Sequence, residues 1–320
     1  MNKTLTPIRT KTLYEQFLKE RKIISSRLEK FTGCEGKDVY NPSVPFTLQG
    51  KTYILGRVEN RGNEFSEVHF FEKNGDEWQE VKGATVFKLQ DPSVAVINGK
   101  TVITGINVNW GDDVKSFTDW KTDFFTGTEI NNFKYFASGP AHMKDVRILG
   151  LPCGKVGVLT RPQGANHADF NCIAKIGYTE LNSLEEISPE NLEKAHLFDG
   201  LFLPDEWGGP NGAYLLNNGL IGVIGHKSYK EIIGGEDILH YYGTAFAINP
   251  ETMEITQPKI IISRNCFPYY PPKRERISDV TFTAGIVRNS DGTATIYSGL
   301  SDSAIGSAVI PDPFTEYEKL

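Results

Sequence analysis

Cysteine is scarce and unpatterned. Cys34, Cys153, Cys172 and Cys266 stand far apart, and no two share a C-x-x-C spacing. Neither a zinc site nor a disulfide framework is signalled, so free thiols in a reducing cytoplasm are expected. No apolar run approaches the ~20 residues of a membrane span. Residues 1–7 lack the apolar core of a secretory signal. Basic blocks are missing too, and the net charge is −6, which speaks against nucleic acid or an anionic membrane surface as partner. What the chain does contain is glycine, 31 residues, and aromatics at 11%, a balance suited to a β-rich fold with many turns.

A short phrase recurs five times. An apolar stretch reaches a glycine, turns, and continues as a second apolar stretch. The turn glycines are Gly50, Gly99, Gly154, Gly219 and Gly292. Three follow Asn or Asp (Asn98, Asn218, Asp291), the strongest short-range hairpin signal. The intervals of 49, 55, 65 and 73 residues match a propeller blade with loops that lengthen toward the C-terminus. The fold expected is all-β, a five-bladed β-propeller over residues 36–320 behind an N-terminal helical extension, 1–35. Five unrelated hairpins in a sandwich are the plainer alternative.

Along the chain, residues 11–30 read as the one long helix. Leu13, Phe17, Ile23 or Ile24, and Leu28 make an apolar stripe among charged residues. It would clip the ring or cover an outer blade; a homo-oligomer contact is the alternative role. Residues 64–89, 133–137, 172–178, 241–248 and 260–263 supply outer strands. Residues 110–125 read as an aromatic loop and 183–197 as a helical excursion. The polar tail after Pro311 is expected to fray.

In a propeller the innermost strands start near the axis, so their first residues converge. Those residues are Asn41, Asp91, Lys144 with Asp145, Asn211 and Asp279, each polar before an apolar strand. Second strands end near Arg57 and Glu59, Arg161, His226 and Asp302. Such a funnel suits a sugar. Carboxylates grip hydroxyls, and one protonated carboxyl can donate to a glycosidic oxygen.

Seven phrases in chain order carry a resemblance. They are Asn41-Pro42; Gly56-Arg57-Val58-Glu59; Gln90-Asp91-Pro92-Ser93-Val94; Lys144-Asp145; Leu159-Thr160-Arg161-Pro162; Gly222-Val223-Ile224-Gly225-His226; and Tyr297-Ser298-Gly299-Leu300-Ser301-Asp302. The chain resembles the five-bladed propeller glycosidases, most closely the β-mannoside phosphorylases of glycoside hydrolase family 130. The resemblance implies Asp91 as general acid, and Asn41, Arg57, Glu59 and Asp302 around the sugar. It implies Arg161, His226 and Lys144 as phosphate ligands, with Tyr241 a looser candidate. Two departures stand out. The family writes Glu-Asp-Pro-Arg where this chain has Gln90-Asp91-Pro92-Ser93, and His-Arg-Pro where it has Thr160-Arg161-Pro162.

The reaction expected is single displacement at the anomeric carbon of a β-mannoside by phosphate, without a metal or an organic cofactor, on an oligosaccharide or small glycoside. An inverting hydrolase, with Asp145, Asp279 or Glu59 activating water, is the first alternative. A non-catalytic sugar-binding propeller is the second. The acceptor side is assigned to loops 107–130 and 163–171.

Overall fold

All five hairpins expected from the glycine turns form. Residues 5–110, 117–163 and 174–320 are described by the structure, a computed structural model. Helix α1 (Thr10–Glu20) is followed by β1 (Ser25–Leu28) and β2 (Lys30–Thr32). The first unit holds β3 (Asp38–Tyr40), β4 (Phe46–Leu48), β5 (Lys51–Glu59), β6 (Glu67–Asn74) and β7 (Glu77–Glu80). Strands β3 and β4 both pair with β5, so together they form an inner strand interrupted at 41–45. The second unit holds β8 (Gln90–Ile97), β9 (Lys100–Trp110), β10 (Phe117–Gly127) and β11 (Lys134–Ser138). The third holds β12 (Arg147–Gly150), β13 (Val156–Thr160), β14 (Ile176–Leu181) and β15 (His196–Phe198). Helix α2 (Pro189–Glu193) precedes β15, in the stretch expected as a helical excursion. The fourth holds β16 (Trp207–Leu215), β17 (Ile221–Ile233), β18 (Glu236–Ile248) and β19 (Lys259–Ile262); the fifth, β20 (Asp279–Arg288), β21 (Thr293–Leu300) and β22 (Ala304–Pro311). Asn98 and Gly99 both take positive φ, 51° and 75°, the backbone that a two-residue hairpin turn needs to match strand twist.

Apolar side chains fill the space between consecutive units. Phe46, Leu55 and Phe70 meet Leu89, Ile103 and Phe133 between the first and second. Ile97 and Phe124 meet Val146 and Val158 between the second and third. Leu159 and Tyr178 meet Val223 and Phe246 between the third and fourth, and Ile224 and Ala245 meet Ile286 and Ile296 between the fourth and fifth. Tyr297 of the fifth packs on the cluster of Ile54, Phe71 and Trp78 in the first, which brings the sequence of interfaces back to its start.

Three expectations are corrected. The helix expected over 11–30 ends at Glu20, because Ile24 N–H bonds the Val309 carbonyl and β1 then pairs with β22. β-branched Ile23 and Ile24 and two serines are weak helix formers, so sheet pairing wins there. Residues 25–32 thus bridge the fifth and first units, since β2 lies parallel to β7. The helix proper covers the fourth unit, with Leu13 and Phe17 against Tyr229, Tyr242 and Ile260. Residues 117–125, expected as part of a loop, belong to β10 (Phe117–Gly127), a run rich in aromatics and threonine that suits a pleated surface. The tail does not fray: Phe314 and Tyr317 are buried, and Arg288 binds Glu318 through two nitrogens. Among the described residues no helix is long and apolar enough to cross a membrane. Cys34, Cys153 and Cys266 are free, while Cys172 lies outside the described residues.

Candidate active site

Asn41, Asp91, Asp145 and Asp302 share an unusual backbone, with φ of 42°, 49°, 59° and 51°. They come from the first, second, third and fifth units. Asn and Asp visit this left-handed region more readily than other side-chain-bearing residues, so these positions select them locally. A ladder irregularity follows Asp91, between Gln90 and Ser93. It turns the side chain out of the strand's alternation, the usual effect of a bulge.

The first cluster surrounds Asp91. Its Oδ1 accepts from Asn41 Nδ2 at 2.8 Å and from Arg57 Nη1 at 3.2 Å. The buried Arg57 also donates through Nη2 to Glu59 Oε2 at 3.1 Å and through Nε to Ser66 Oγ at 2.7 Å. Burial opposes the arginine's charge, but Tyr40, Asp91 and Glu59 hold its pKa above the usual value. Glu59 is driven up by burial and held below the ordinary range by Arg57, Lys273 and Ser66. Asp302, facing Arg57 and Asp91 electrostatically, has its pKa pushed up to about 6 by burial, with Asp91 adding to the rise. Near pH 6 this group therefore holds a charged Glu59 beside an Asp302 that exchanges its proton.

The second cluster is cationic and spans the third and fourth units. Both oxygens of the buried Asp145 are taken by guanidinium groups: Oδ2 by Arg161 at 2.6 Å, Oδ1 by Arg147 at 3.2 Å. Burial pushes this carboxyl up, but Arg161 and Arg147 hold it below its usual value. Arg161 Nε also donates to the Gly208 carbonyl at 2.5 Å, and Arg147 Nε to the Asn211 carbonyl at 3.1 Å. The Asn211 side chain meets His226 Nδ1 at 2.7 Å. Burial and the nearby Arg161 charge bring His226 down to about 3, so its imidazole is neutral and offers a hydrogen bond instead of charge. Lys144 is likewise lowered by burial and by Arg161. An anion seated here would relieve that crowding of cations. Tyr241 stacks on His226 with ring centroids 5.7 Å apart and accepts from Trp207 Nε1 at 2.8 Å.

The expected site residues thus fall into two groups, with one exception. Asp279 belongs to neither. It accepts from Tyr242 OH at 2.7 Å and meets His240 Nδ1 at 2.7 Å, on the side where Tyr14 of α1 stacks on Tyr242. Its chain position before an apolar strand resembles that of Asp91, but His240 directly opposite on β18 captures it. Sequence reading missed Arg147 and Lys273. Arg147 opens β12 two residues beyond Asp145, close enough in the chain to reach it. Lys273 ion-pairs with Glu59 from 214 positions away and donates to the Asn63 carbonyl at 3.0 Å, for which no local signal exists. Among the described residues, Cys34, His69 and Glu80 bring three metal-ligating atoms within 4.8 Å of one another. Glu80 is already engaged by His69 and Lys82, and burial pushes the Cys34 thiol up to about 12.

Residues 15–316 match the family described as "Protein of unknown function (DUF1861)". The chain belongs to that family. It is 38% identical to MPT-4, a mannose phosphorylase from Leishmania mexicana solved with phosphate ion, over 96% of this chain and 94% of that one, with a TM-score of 0.88. It is 35% identical to MPT-1, a GDP-Man-dependent mannosyltransferase from the same organism, over 96% and 95% of the two chains, TM-score 0.86. A β-1,2-mannobiose phosphorylase from Listeria innocua shares the fold at 13% identity over 89% and 93%, TM-score 0.61. No curated protein matches the chain in sequence. The chain is therefore an enzyme of carbohydrate metabolism. The likeness to propeller glycosidases and β-mannoside phosphorylases read from seven short phrases holds.

Proposed function

We propose that this enzyme is a five-bladed β-propeller that cleaves a β-mannoside by inverting phosphorolysis. Asp91 donates a proton to the leaving oxygen, directly or through a substrate hydroxyl. Asn41, Arg57, Glu59 and Asp302 hold the sugar. Phosphate held by Arg161, Lys144, His226 and Tyr241 attacks the anomeric carbon from the opposite face. The C–O bond to the leaving group breaks as the C–O bond to phosphate forms, and the products are mannose 1-phosphate and the released alcohol. The reaction as written calls for no metal.

One observation carries this reading over hydrolysis. Water attack needs a carboxylate base on the nucleophile side, but Asp145 has both oxygens bound to arginines and a pKa held low. That side offers cations, which suit an anionic nucleophile. The phosphorylase relative at 38% identity supports the same choice. Product retention points to action inside the cell, where a sugar phosphate keeps its bond energy useful.

The mannosyltransferase relative favours a second reading: the same cations would hold the phosphate of a nucleotide sugar while the mannosyl group passes to an acceptor. One experiment separates them. The enzyme is incubated with a β-mannobiose and phosphate, and separately with GDP-mannose and a manno-oligosaccharide. Mannose 1-phosphate in the first mixture is the expected result. Product only in the second would replace phosphorolysis with transfer, and free mannose independent of phosphate would mean hydrolysis.

A further inference from the structure

Three side chains with metal-binding atoms meet on the outer strands of the first unit, and none of them belongs to the two clusters described above. Cys34 follows β2, His69 lies on β6 and Glu80 ends β7, and one ligand atom from each falls within 4.8 Å of the others. The backbone builds this meeting. β2 runs parallel to β7 with Thr32 opposite Gln79, which brings Gly33 alongside Glu80. A Cβ on Gly33 would come within 2.7 Å of Glu80 Cβ, and its φ is 96°. Only glycine lets the chain pass this close and deliver Cys34 to the His69–Glu80 pair. His69 Nδ1 lies 2.7 Å from Glu80 Oε1. Its other ring nitrogen, Nε2, lies 3.2 Å from Oε2 of Glu67, two residues earlier on the same face of β6. The His69 and Glu80 side chains are 11% and 9% exposed.

We propose that Cys34 Sγ, His69 Nδ1 and Glu80 Oε1 bind a zinc ion, with a water as fourth ligand. A thiolate, an imidazole and one carboxylate are a donor set that zinc takes in tetrahedral geometry and that magnesium and calcium pass over. The Glu67 contact is an independent mark of a metal-binding histidine. With Nε2–H donated to Glu67, the Nδ1 lone pair is left for a metal, the carboxylate–histidine–zinc arrangement. In that tautomer Nδ1 and Glu80 Oε1 face each other as two acceptors, and a proton or a metal ion has to bridge them. Zinc takes the place of that bridging proton. The Cys34 S–H bond also breaks, its proton passing to solvent as the Zn–S bond forms. With Zn–N and Zn–O bonds of ~2.0–2.1 Å, neighbouring ligand atoms stand about 3.4 Å apart, so Glu80 has to withdraw by about 0.7 Å. Its other oxygen is held by Lys82, whose side chain is 76% exposed and able to follow. The ion pins residues 33–35 to the β6–β7 hairpin, where the bridging segment from the fifth unit joins the first.

Metal titration of the full chain, stripped with a chelator and dialysed, tests this. Calorimetry should show one zinc per chain, with a higher thermal melting midpoint, and magnesium should produce neither. Cobalt(II) in place of zinc should give a thiolate-to-metal charge-transfer band in the near ultraviolet. Cys34→Ser and His69→Gln should each weaken zinc binding more than about 100-fold, and Cys34→Ser should remove the cobalt band. Glu67→Gln spares all three ligands and should weaken binding about tenfold. Cys34 is half-buried, so Cys34→Ser keeps the fold, and circular dichroism of the zinc-free variant verifies this. The cobalt band is read on the wild type and depends on no variant. Its absence there, or zinc affinity that survives Cys34→Ser and so marks an adventitious ion only, overturns the proposal.

Discussion

Asn41 Nδ2 donates to Asp91 Oδ1 across 2.8 Å, joining the inner edges of the first and second units. Both residues sit in left-handed backbone. Arg57 adds its bond to the same oxygen. With two donors on Oδ1, the proposed mechanism uses Oδ2 for proton transfer. Asp91 is thus oriented by Asn41 and Arg57 of the first unit, 50 and 34 positions away in the chain.

Asp91→Asn is expected to lower turnover by about 10²–10⁴-fold, the span of general-acid contributions, without unfolding the chain. Asn tolerates the φ of 49°, so the backbone is spared. Steady-state rates with circular dichroism on the same sample measure both halves. A variant with full activity would remove Asp91 from the mechanism.

Arg147 acts through Asp145 on Arg161. Arg147→Met leaves a buried carboxylate with one partner, and breaking such a pair costs about 3–5 kcal/mol. The expected result is a lower denaturation midpoint together with a raised KM for phosphate and a smaller change in KM for the mannoside. Equal rises in both KM values would make Arg147 merely structural. Arg147→Lys, which keeps the charge but not the fork, is expected to recover stability before phosphate affinity.

Asp302 gives a pH signature. Its folded pKa is about 6 against a reference of 3.8, so the folded state holds its proton more tightly. That contribution is fully present below pH 3.8 and is lost as pH rises through about 6. Asp302→Asn should therefore resist urea better than wild type at neutral pH, with the gap closing toward pH 4. A gap that stays constant with pH would show that Asp302 is not perturbed.

Ring closure has its own test at Glu29, whose side chain is 1% exposed. It accepts from Ser307 Oγ at 2.6 Å in the fifth unit and from Trp78 Nε1 at 2.9 Å in the first. Burial pushes its pKa up, but Ser307, Arg27 and Trp78 hold it below the usual range. Glu29→Gln replaces one acceptor by a donor facing a donor, which should cost about 1–3 kcal/mol in urea titrations. An unchanged midpoint would mean that Glu29 adds nothing to the joint between the fifth and first units.

Local chemistry wrote much of this protein into its sequence. Asn or Asp before glycine favours a hairpin turn, as at Gly99, Gly219 and Gly292, and Gly50 and Gly154 repeat the same apolar phrase, so five turns were legible one at a time. Asn41, Asp91 and Asp145 at the starts of inner strands and Asp302 after a second strand stood out as polar residues beside apolar strands, and their left-handed backbone is what takes Asn or Asp there. What a residue faces across the molecule was not written locally. Asp279 reads like Asp91 in its own stretch, yet His240 and Tyr242 claim it. Residues 25–30 were read as the end of a helix, yet open edges on β22 and β7 draw this stretch into strands. Lys273 reaches Glu59, and Asp145 gathers two arginines, because hydrogen bonds and charges between distant segments form only once the sheets have packed. The sequence by itself determined the turns, the strands and the identity of the polar residues at their ends. Tertiary structure alone decided which of those ends meet, since electrostatic and packing partners are set by distance in space and carry no local signal in the chain.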